Sequence, residues 1–232
     1  MRAGMSVGGG LVSDATVLLG YQPDREVDAD SALGRNARLR SGTIIYGGTR
    51  IGDGFQSGHN VVVREECLIG DDVSVWSNTV IDYGCVLGDG VKVHSNCYVA
   101  QFTEISDGAF LAPGVTIAND LYPGQEESAK RMSGPWIGPG AQLGVNVTVL
   151  PYVRIGAGTI VGAGSVVTRD LPAGVVAYGN PAVVRGRVED LTDITRRVDG
   201  NQSHIGNRFR FRQELPEQRP VVNGAHRAEP VP

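Results

Sequence analysis

Residues 51–93 read IGDGFQSGHNVVVREECLIGDDVSVWSNTVIDYGCVLGDGVKV, and three stretches within them nearly repeat: Ile51-Gly52-Asp53-Gly54, Ile69-Gly70-Asp71-Asp72 and Leu87-Gly88-Asp89-Gly90. They stand eighteen residues apart. Inside each eighteen an aliphatic residue returns every six positions, so the series runs outward from Ile51 back to Leu33 and forward to Ile117. That makes fifteen units in phase, and Ser57 is the one start position that is not aliphatic. Four residues after each start lies a second position, mostly small or β-branched, which takes in Cys67, Cys85 and Cys97. Such a unit drifts out of phase with a helix of period 3.6 or a strand of period 2 within two repeats. It fits a short strand and a corner, three units to a coil. The coils are expected to stack as parallel ladders about 4.8 Å apart, aliphatic side chains piled on their equivalents.

The phase breaks after Ile117 and resumes at Ile137-Gly138-Pro139-Gly140, continuing through Leu143, Val149, Ile155, Val161 and Val167. Between Ile105 and Ile137 lie 32 residues where 18 belong, so 14 residues leave the prism after about Ile117 and return near Trp136. This insertion is polar and turn-rich, and loops carried on a rigid solenoid are where function usually sits. The chain thus divides into an irregular lead-in, 1–32, a repeat body, 33–185, with its loop at about 119–136, and a closing segment, 186–232. In that last part Val188, Leu191, Ile194 and Val198 recur at helical spacing, which predicts a short amphipathic helix. Beyond Gly200 the sequence reads as a mobile polar tail dispensable for folding, with Arg208-Phe209-Arg210-Phe211-Arg212 as a candidate edge strand.

Composition narrows the partners. Glycine is abundant at 33 residues and aromatics make up 6%, which suits a core of small and aliphatic side chains crossed by many turns. The formal charge of −4, with no long basic block, argues against nucleic acid or an anionic membrane as partner. No apolar run approaches the ~18 residues of a membrane span, and Gly and Asp interrupt the start before a signal-peptide core forms. A cytoplasmic protein with a small-molecule partner is expected. Three cysteines, an odd count, argue against a disulfide framework.

Two segments carry a resemblance. The run from Ile155-Gly156-Ala157-Gly158 through Gly162-Ala163-Gly164-Ser165 to Gly179-Asn180-Pro181-Ala182 is similar to the exit segment of the hexapeptide acyltransferase superfamily, and the likeness covers roughly residues 33–185. Val115-Thr116-Ile117-Ala118-Asn119-Asp120-Leu121-Tyr122-Pro123, with the insertion and Gly144-Val145-Asn146-Val147-Thr148-Val149 after it, resembles N-acetyltransferases of nucleotide-linked amino sugars. The nearest likeness is to enzymes acetylating the 3-amino group of UDP-2-acetamido-3-amino-2,3-dideoxyglucuronate. The resemblance implies a left-handed parallel β-helix, acetyl-CoA as cosubstrate, no metal, and a homotrimer with sites between subunits. It also implies that Asn119 sits beside the sugar amine. Galactoside-type O-acetyltransferases carry a histidine in the loop as base for a hydroxyl, and this loop has none, which favours an amine acceptor. The alternatives are O-acetylation of a small hydroxyl acceptor, a metal-dependent hydratase like the γ-carbonic anhydrases, and a non-catalytic scaffold.

The candidate residues each have a plainer reading. Asn119 is either the amine-positioning group or an Asn tolerating a left-handed corner. Asp120 is either a proton acceptor or the cap of the loop turn. Tyr122 is a candidate for packing against a sugar or nucleotide ring. His94 is a candidate base or amine partner, and His59 a substrate contact; either could equally be a solvated outward histidine. Together they invite zinc, but zinc catalysis wants three protein ligands, and His204 and His226 lie in the tail. Gly144 and Ala163, on the resembling segments, and Arg154 and Arg169, able to meet phosphates, are the candidates for contact with coenzyme A. For the two arginines the alternative is an ordinary surface ion pair.

Overall fold

The computed structural model describes residues 4–27 and 30–191, and in them each six-residue unit becomes a two-residue strand and a corner. The strands line up as three sheets of eight, ten and eight strands, every third strand joining the same sheet. Pairing is parallel with an eighteen-residue step: Ile51 faces Ile69, Ile69 faces Leu87, and Leu87 faces Ile105. In each strand the first residue faces out and the second in, so Leu68 is 50% exposed while Ile69 is 5% exposed. The architecture is the left-handed parallel β-helix.

The core follows the two inward positions. Ile45, Ile81, Leu111, Ile117, Ile137 and Ile155 are buried, as are the smaller Ala37, Thr43, Thr79 and Ala109. Stacking identical shapes at one-coil intervals removes apolar surface from water and pairs every strand amide with the next coil, so no single layer need be large. Corners demand a left-handed residue. Along the edge after the second sheet, this position is filled by Asn60, Asn78 and Asn96 (φ 55°, 59° and 61°) and then Gly114, residue types that adopt this conformation at low cost.

The insertion leaves the register untouched. Ile105 pairs with Ile137 across the 32-residue gap, and Ile137 with Ile155. The loop therefore sits outside a continuous ladder, and the site it roots is held by stacked coils on both sides.

Two ends differ from the sequence reading. Residues 1–32 contain a coil of their own: Met5–Val7, Val12–Ser13 and Leu18–Tyr21 pair in parallel with Ser31–Leu33, Arg38–Leu39 and Ile44–Tyr46. The step from Val7 to Leu33 is 26 residues, eight more than a coil, and that phase shift hides the repeat. At the other end, Val183–Arg187 is a strand that folds back antiparallel on Val175–Tyr178. Among the described residues a single 3-10 turn, Val188–Asp190, follows it. The remaining positions of the expected helix, Ile194 and Val198, lie outside the described residues, as do the Arg208–Arg212 segment and the tail.

Candidate active site

Because equivalent residues repeat every eighteen positions, a corner is read as a column. On the edge between the third and first sheets one column runs Glu65, Tyr83, Gln101, Asn119 and, past the loop, Pro151 and Arg169; beside it run Arg64, Asp82, Ala100 and Ala118. The loop leaves this edge at Asn119. Over the two coils before it lies a polar network that the aliphatic pattern does not announce.

Asp82, 6% exposed, is its hub. Oδ1 accepts the Tyr83 backbone N–H at 2.8 Å, Oδ2 accepts the Tyr98 hydroxyl at 2.8 Å and Gln101 Nε2 at 2.7 Å, and Arg64 Nη1 stands 3.8 Å away. Gln101 Oε1 in turn accepts Asn119 Nδ2. Burial, and then the hydrogen bond to Asp82, push the Tyr98 phenol well above its usual range, so it remains a donor. Next to the hub, Arg64 and Arg25 both bond the fully buried side chain of Glu65. Burial alone would raise that carboxyl. The hydrogen bonds from Arg64, its own backbone N–H and Arg25 outweigh it and hold Glu65 below the ordinary carboxylate range.

This chain fixes which way Asn119 points. A carboxylate only accepts, so Asp82 must face the amide nitrogen of Gln101. That leaves Gln101 to present oxygen to Asn119, which must answer with its own nitrogen. The Asn119 carbonyl Oδ1 is thereby committed to the opposite side as an acceptor. Such a group suits a donor-bearing ligand, an amine or a hydroxyl.

The loop is tied at both feet. The Asn119 backbone carbonyl accepts the Ser133 N–H at 2.9 Å, and the Tyr152 hydroxyl donates to the Arg131 backbone carbonyl. Asp120 Oδ1 accepts the Tyr122 N–H at 2.8 Å, the local turn its side chain favours. Tyr122 is 62% exposed on the loop.

The other candidates fall elsewhere. His94 lies on the edge between the second and third sheets, stacked at 4.4 Å on Trp76 and 4.8 Å from Phe110. Gly144 and Ala163 share that edge at later coils, packed so closely that a Cβ on Gly144 would stand 2.6 Å from the Ala163 nitrogen. His59 lines a cleft there with Arg40 and Trp76. Arg154 projects from the first sheet with its guanidinium 4.5 Å from the Trp136 ring. Arg169 stands two coils beyond Asn119 in the same column. One chain therefore brings Asn119 together with Gln101, Asp82 and Arg169, and holds His94, Gly144 and Ala163 on a different edge. Among the described residues no three His, Cys, Asp or Glu side chains are grouped to hold a metal ion.

The hub residues Asp82, Gln101 and Tyr98 were not singled out from the sequence. The signal was present, since subtracting eighteen from Asn119 gives Gln101. An Arg and an Asp, Arg64 and Asp82, at a corner that later coils fill with Ala100 and Ala118 are a second mark.

Residues 84–119 and 134–169, the segments flanking the loop, match the family described as bacterial transferase hexapeptide (six repeats). Galactoside O-acetyltransferase of Lactococcus lactis is 37% identical over 37% of this chain and 44% of its own. Serine acetyltransferase 4 of Arabidopsis thaliana is 36% identical over 51% of this chain and 32% of its own. The dTDP-3-amino-3,6-dideoxy-alpha-D-galactopyranose 3-N-acetyltransferase of Aneurinibacillus thermoaerophilus is 40% identical over 34% of this chain and 42% of its own. The chain thus spans less than half the length of each of these relatives. Their names share acetyl transfer and differ in acceptor, so the repeats that align do not choose the acceptor. The repeats on both sides of the loop are similar to the bacterial transferase hexapeptide family.

Proposed function

We propose that this protein transfers an acetyl group from acetyl-CoA to the amine of a nucleotide-linked amino sugar. The observation that carries the reading is the fixed polarity of Asn119 at the root of the one long loop. Its Oδ1 accepts a hydrogen from the acceptor amine and aims the nitrogen lone pair at the thioester carbonyl. The amine attacks that carbon directly, forming the N–C bond; a backbone N–H stabilises the developing oxyanion, and as it collapses the C–S bond breaks and the departing thiolate takes up, directly or through water, the proton the nitrogen loses. An amine needs less proton abstraction than a hydroxyl, which agrees with a loop, residues 119–135, that contains no histidine. Arg169, in the Asn119 column, suits a phosphate of either substrate.

The two candidate groups of residues lie on different edges of one prism, and a prism encloses no site by itself. A homotrimer that sets the Asn119 edge of one copy against the His94, Gly144 and Ala163 edge of the next would join them. The enzyme acting in the cytoplasm, where acetyl-CoA is available, completes the reading.

The experiment is release of free coenzyme A thiol from acetyl-CoA in the presence of UDP-, dTDP- and GDP-linked amino sugars, with galactosides and serine as hydroxyl acceptors. Acceptor-dependent release with at least one amino sugar is expected. Release only with the hydroxyl acceptors would replace the reading with O-acetylation. Sedimentation of a fully active monomer would remove the trimer.

A further inference from the structure

Ser57, the one start position that departs from the aliphatic rule, lines a cleft of about 290 Å³ on the edge between the second and third sheets. Ser57 Oγ lies 2.8 Å from Thr43 Oγ1 and accepts the Arg40 backbone N–H at 3.1 Å. The same unit carries Phe55, fully buried where other units place Ala, Thr, Val or Cys. Bulk has been moved from the Ser57 position to the Phe55 position, and the cleft opens beside the smaller residue.

The corner column here runs Arg40, Gly58, Trp76, His94. At one coil per ~4.8 Å, Arg40 and Trp76 stem from backbone roughly 9.6 Å apart, and Gly58 places no side chain between them. A flat ring touching a partner on each face needs about 7–8 Å, twice the contact distance. One face of Trp76 is already taken by His94, nearly parallel at 20°, and Phe110 continues the stack. The other face looks over Gly58 toward Arg40, a cation that stacks well on aromatic rings. Gln56 and His59 also line the cleft and supply polar groups for a ring edge. Asp14, 3.9 Å from Arg40 and bonded by the Ser41 N–H and hydroxyl at 2.9 Å each, offsets the guanidinium charge. The slot is therefore shaped for a planar ring more than for a bare phosphate.

We propose that this slot binds the base of a nucleotide, stacked on the free face of Trp76 and covered by Arg40. The proposal deepens the reading of a nucleotide-linked acceptor and rests on it for the choice of nucleotides. Both the acceptor and coenzyme A carry a base, so the probes separate the two sources.

The test is quenching of tryptophan fluorescence in a Trp136→Phe background, which leaves Trp76 as the one emitter of the two tryptophans. UDP, dTDP, GDP and adenosine 3′,5′-diphosphate are titrated separately. At least one should bind with Kd on the order of 0.1 mM, a response to the first three marking the acceptor's base and a response to the last alone marking the donor's. Ser57→Val restores the aliphatic rule and narrows the slot, and Arg40→Gln removes its cover. Each should weaken binding about tenfold or more, the worth of one good stacking contact, with the circular dichroism of the wild type retained. No saturable quenching by any of the four, or quenching that both variants leave unchanged, overturns the slot. If acetyl transfer to amino sugars persists in that case, the proposed function stands without it. Nucleotide binding that both variants weaken, with no acetyl transfer to any amino sugar, would instead retain the slot and remove that function.

Discussion

The Asp89 carboxylate accepts the backbone N–H of Asp71 at 2.7 Å, one coil earlier in the stack. The same bond runs from Arg35 to Asp53, from Asp53 to Asp71 and from Asp89 to Asp107. The Asp71, Asp89 and Asp107 carboxylates lie over the preceding coil's glycine, so a Cβ on Gly70 would stand 2.2 Å from Asp89 Oδ1. The Gly-Asp pair of the repeat is one device in two coils: the glycine leaves the space and the aspartate fills it. Gly70→Ala should cost about 1–3 kcal/mol through overpacking. Asp89→Ala should lower the thermal midpoint by ~2–4 °C. The double variant should lose less than the sum, because removing the carboxylate relieves the crowding. Strict additivity in a denaturant titration would refute the pairing.

Acid should weaken the prism through carboxyls whose folded-state pKa is depressed. Glu65 is held low despite burial by Arg64, its own N–H and Arg25. Asp53 is lowered by its hydrogen bonds to the Arg35 side chain and backbone, and Asp14 by Ser41. A depressed carboxyl contributes stability above its unfolded pKa, near 4, and that contribution is lost as pH falls through the lower folded value. The thermal midpoint should therefore fall steeply below about pH 4. Glu65→Gln should lower it at neutral pH and flatten the acid limb. An unchanged acid slope in that variant would contradict the assignment.

Cys67, Cys85 and Cys97 should be unreactive in the folded protein. All three are buried, and each thiol donates to a carbonyl fifteen residues on, to Asp82, Ala100 and Ala112. The hydrogen bond with Cys85, together with burial, raises the Cys67 thiol, and burial raises Cys97. Aromatic disulfide reagents at pH 8 should titrate no thiol until denaturant is added. Rapid stoichiometric reaction would place a thiol at the surface and reopen a role for it.

The direction of the Asp82–Gln101–Asn119 chain can be reversed. Asn119→Asp sets an acceptor against Gln101 Oε1, and Asp82→Asn removes the charge that orients Gln101. Each should lower the thermal midpoint by about 3 °C. With both changes Gln101 can turn over, accepting from residue 82 and donating to residue 119, so much of the loss should be recovered. Additive losses would show that no such polarity is transmitted across Gln101.

The solenoid was legible because its rule is local and redundant: Leu33 through Ile117 vote fifteen times on one phase, and Ile105 and Ile137 fix the size of the loop. The first coil was not legible. Val7, Ser13 and Leu19 keep the six-residue spacing and pair with Leu33, Leu39 and Ile45, but Ser13 breaks the aliphatic rule and an eight-residue excess before Leu33 shifts all three out of phase. The strand Val183–Arg187 was not legible because its antiparallel pairing with Val175–Tyr178 is decided by a turn, which repeat spacing does not reveal. At the site, the loop root at Asn119 was legible as the point where the period fails. Its partners Gln101 and Asp82 were not singled out, because a corner column is visible only once eighteen-residue neighbours are treated as contacts.

Positioning of the acceptor amine by the Asn119 side-chain carbonyl is tested by kcat/KM for Asn119→Ala beside its thermal midpoint, with acetyl-CoA and UDP-2-acetamido-3-amino-2,3-dideoxyglucuronate. Removing one well-placed hydrogen bond from a water-poor site costs ~2–4 kcal/mol of transition-state stabilisation, roughly a 30- to 1,000-fold loss. That loss is expected with a midpoint within a few degrees of wild type. Activity within a few-fold of wild type in Asn119→Ala, with His94→Ala inactive, would contradict it and move the chemistry to the histidine edge.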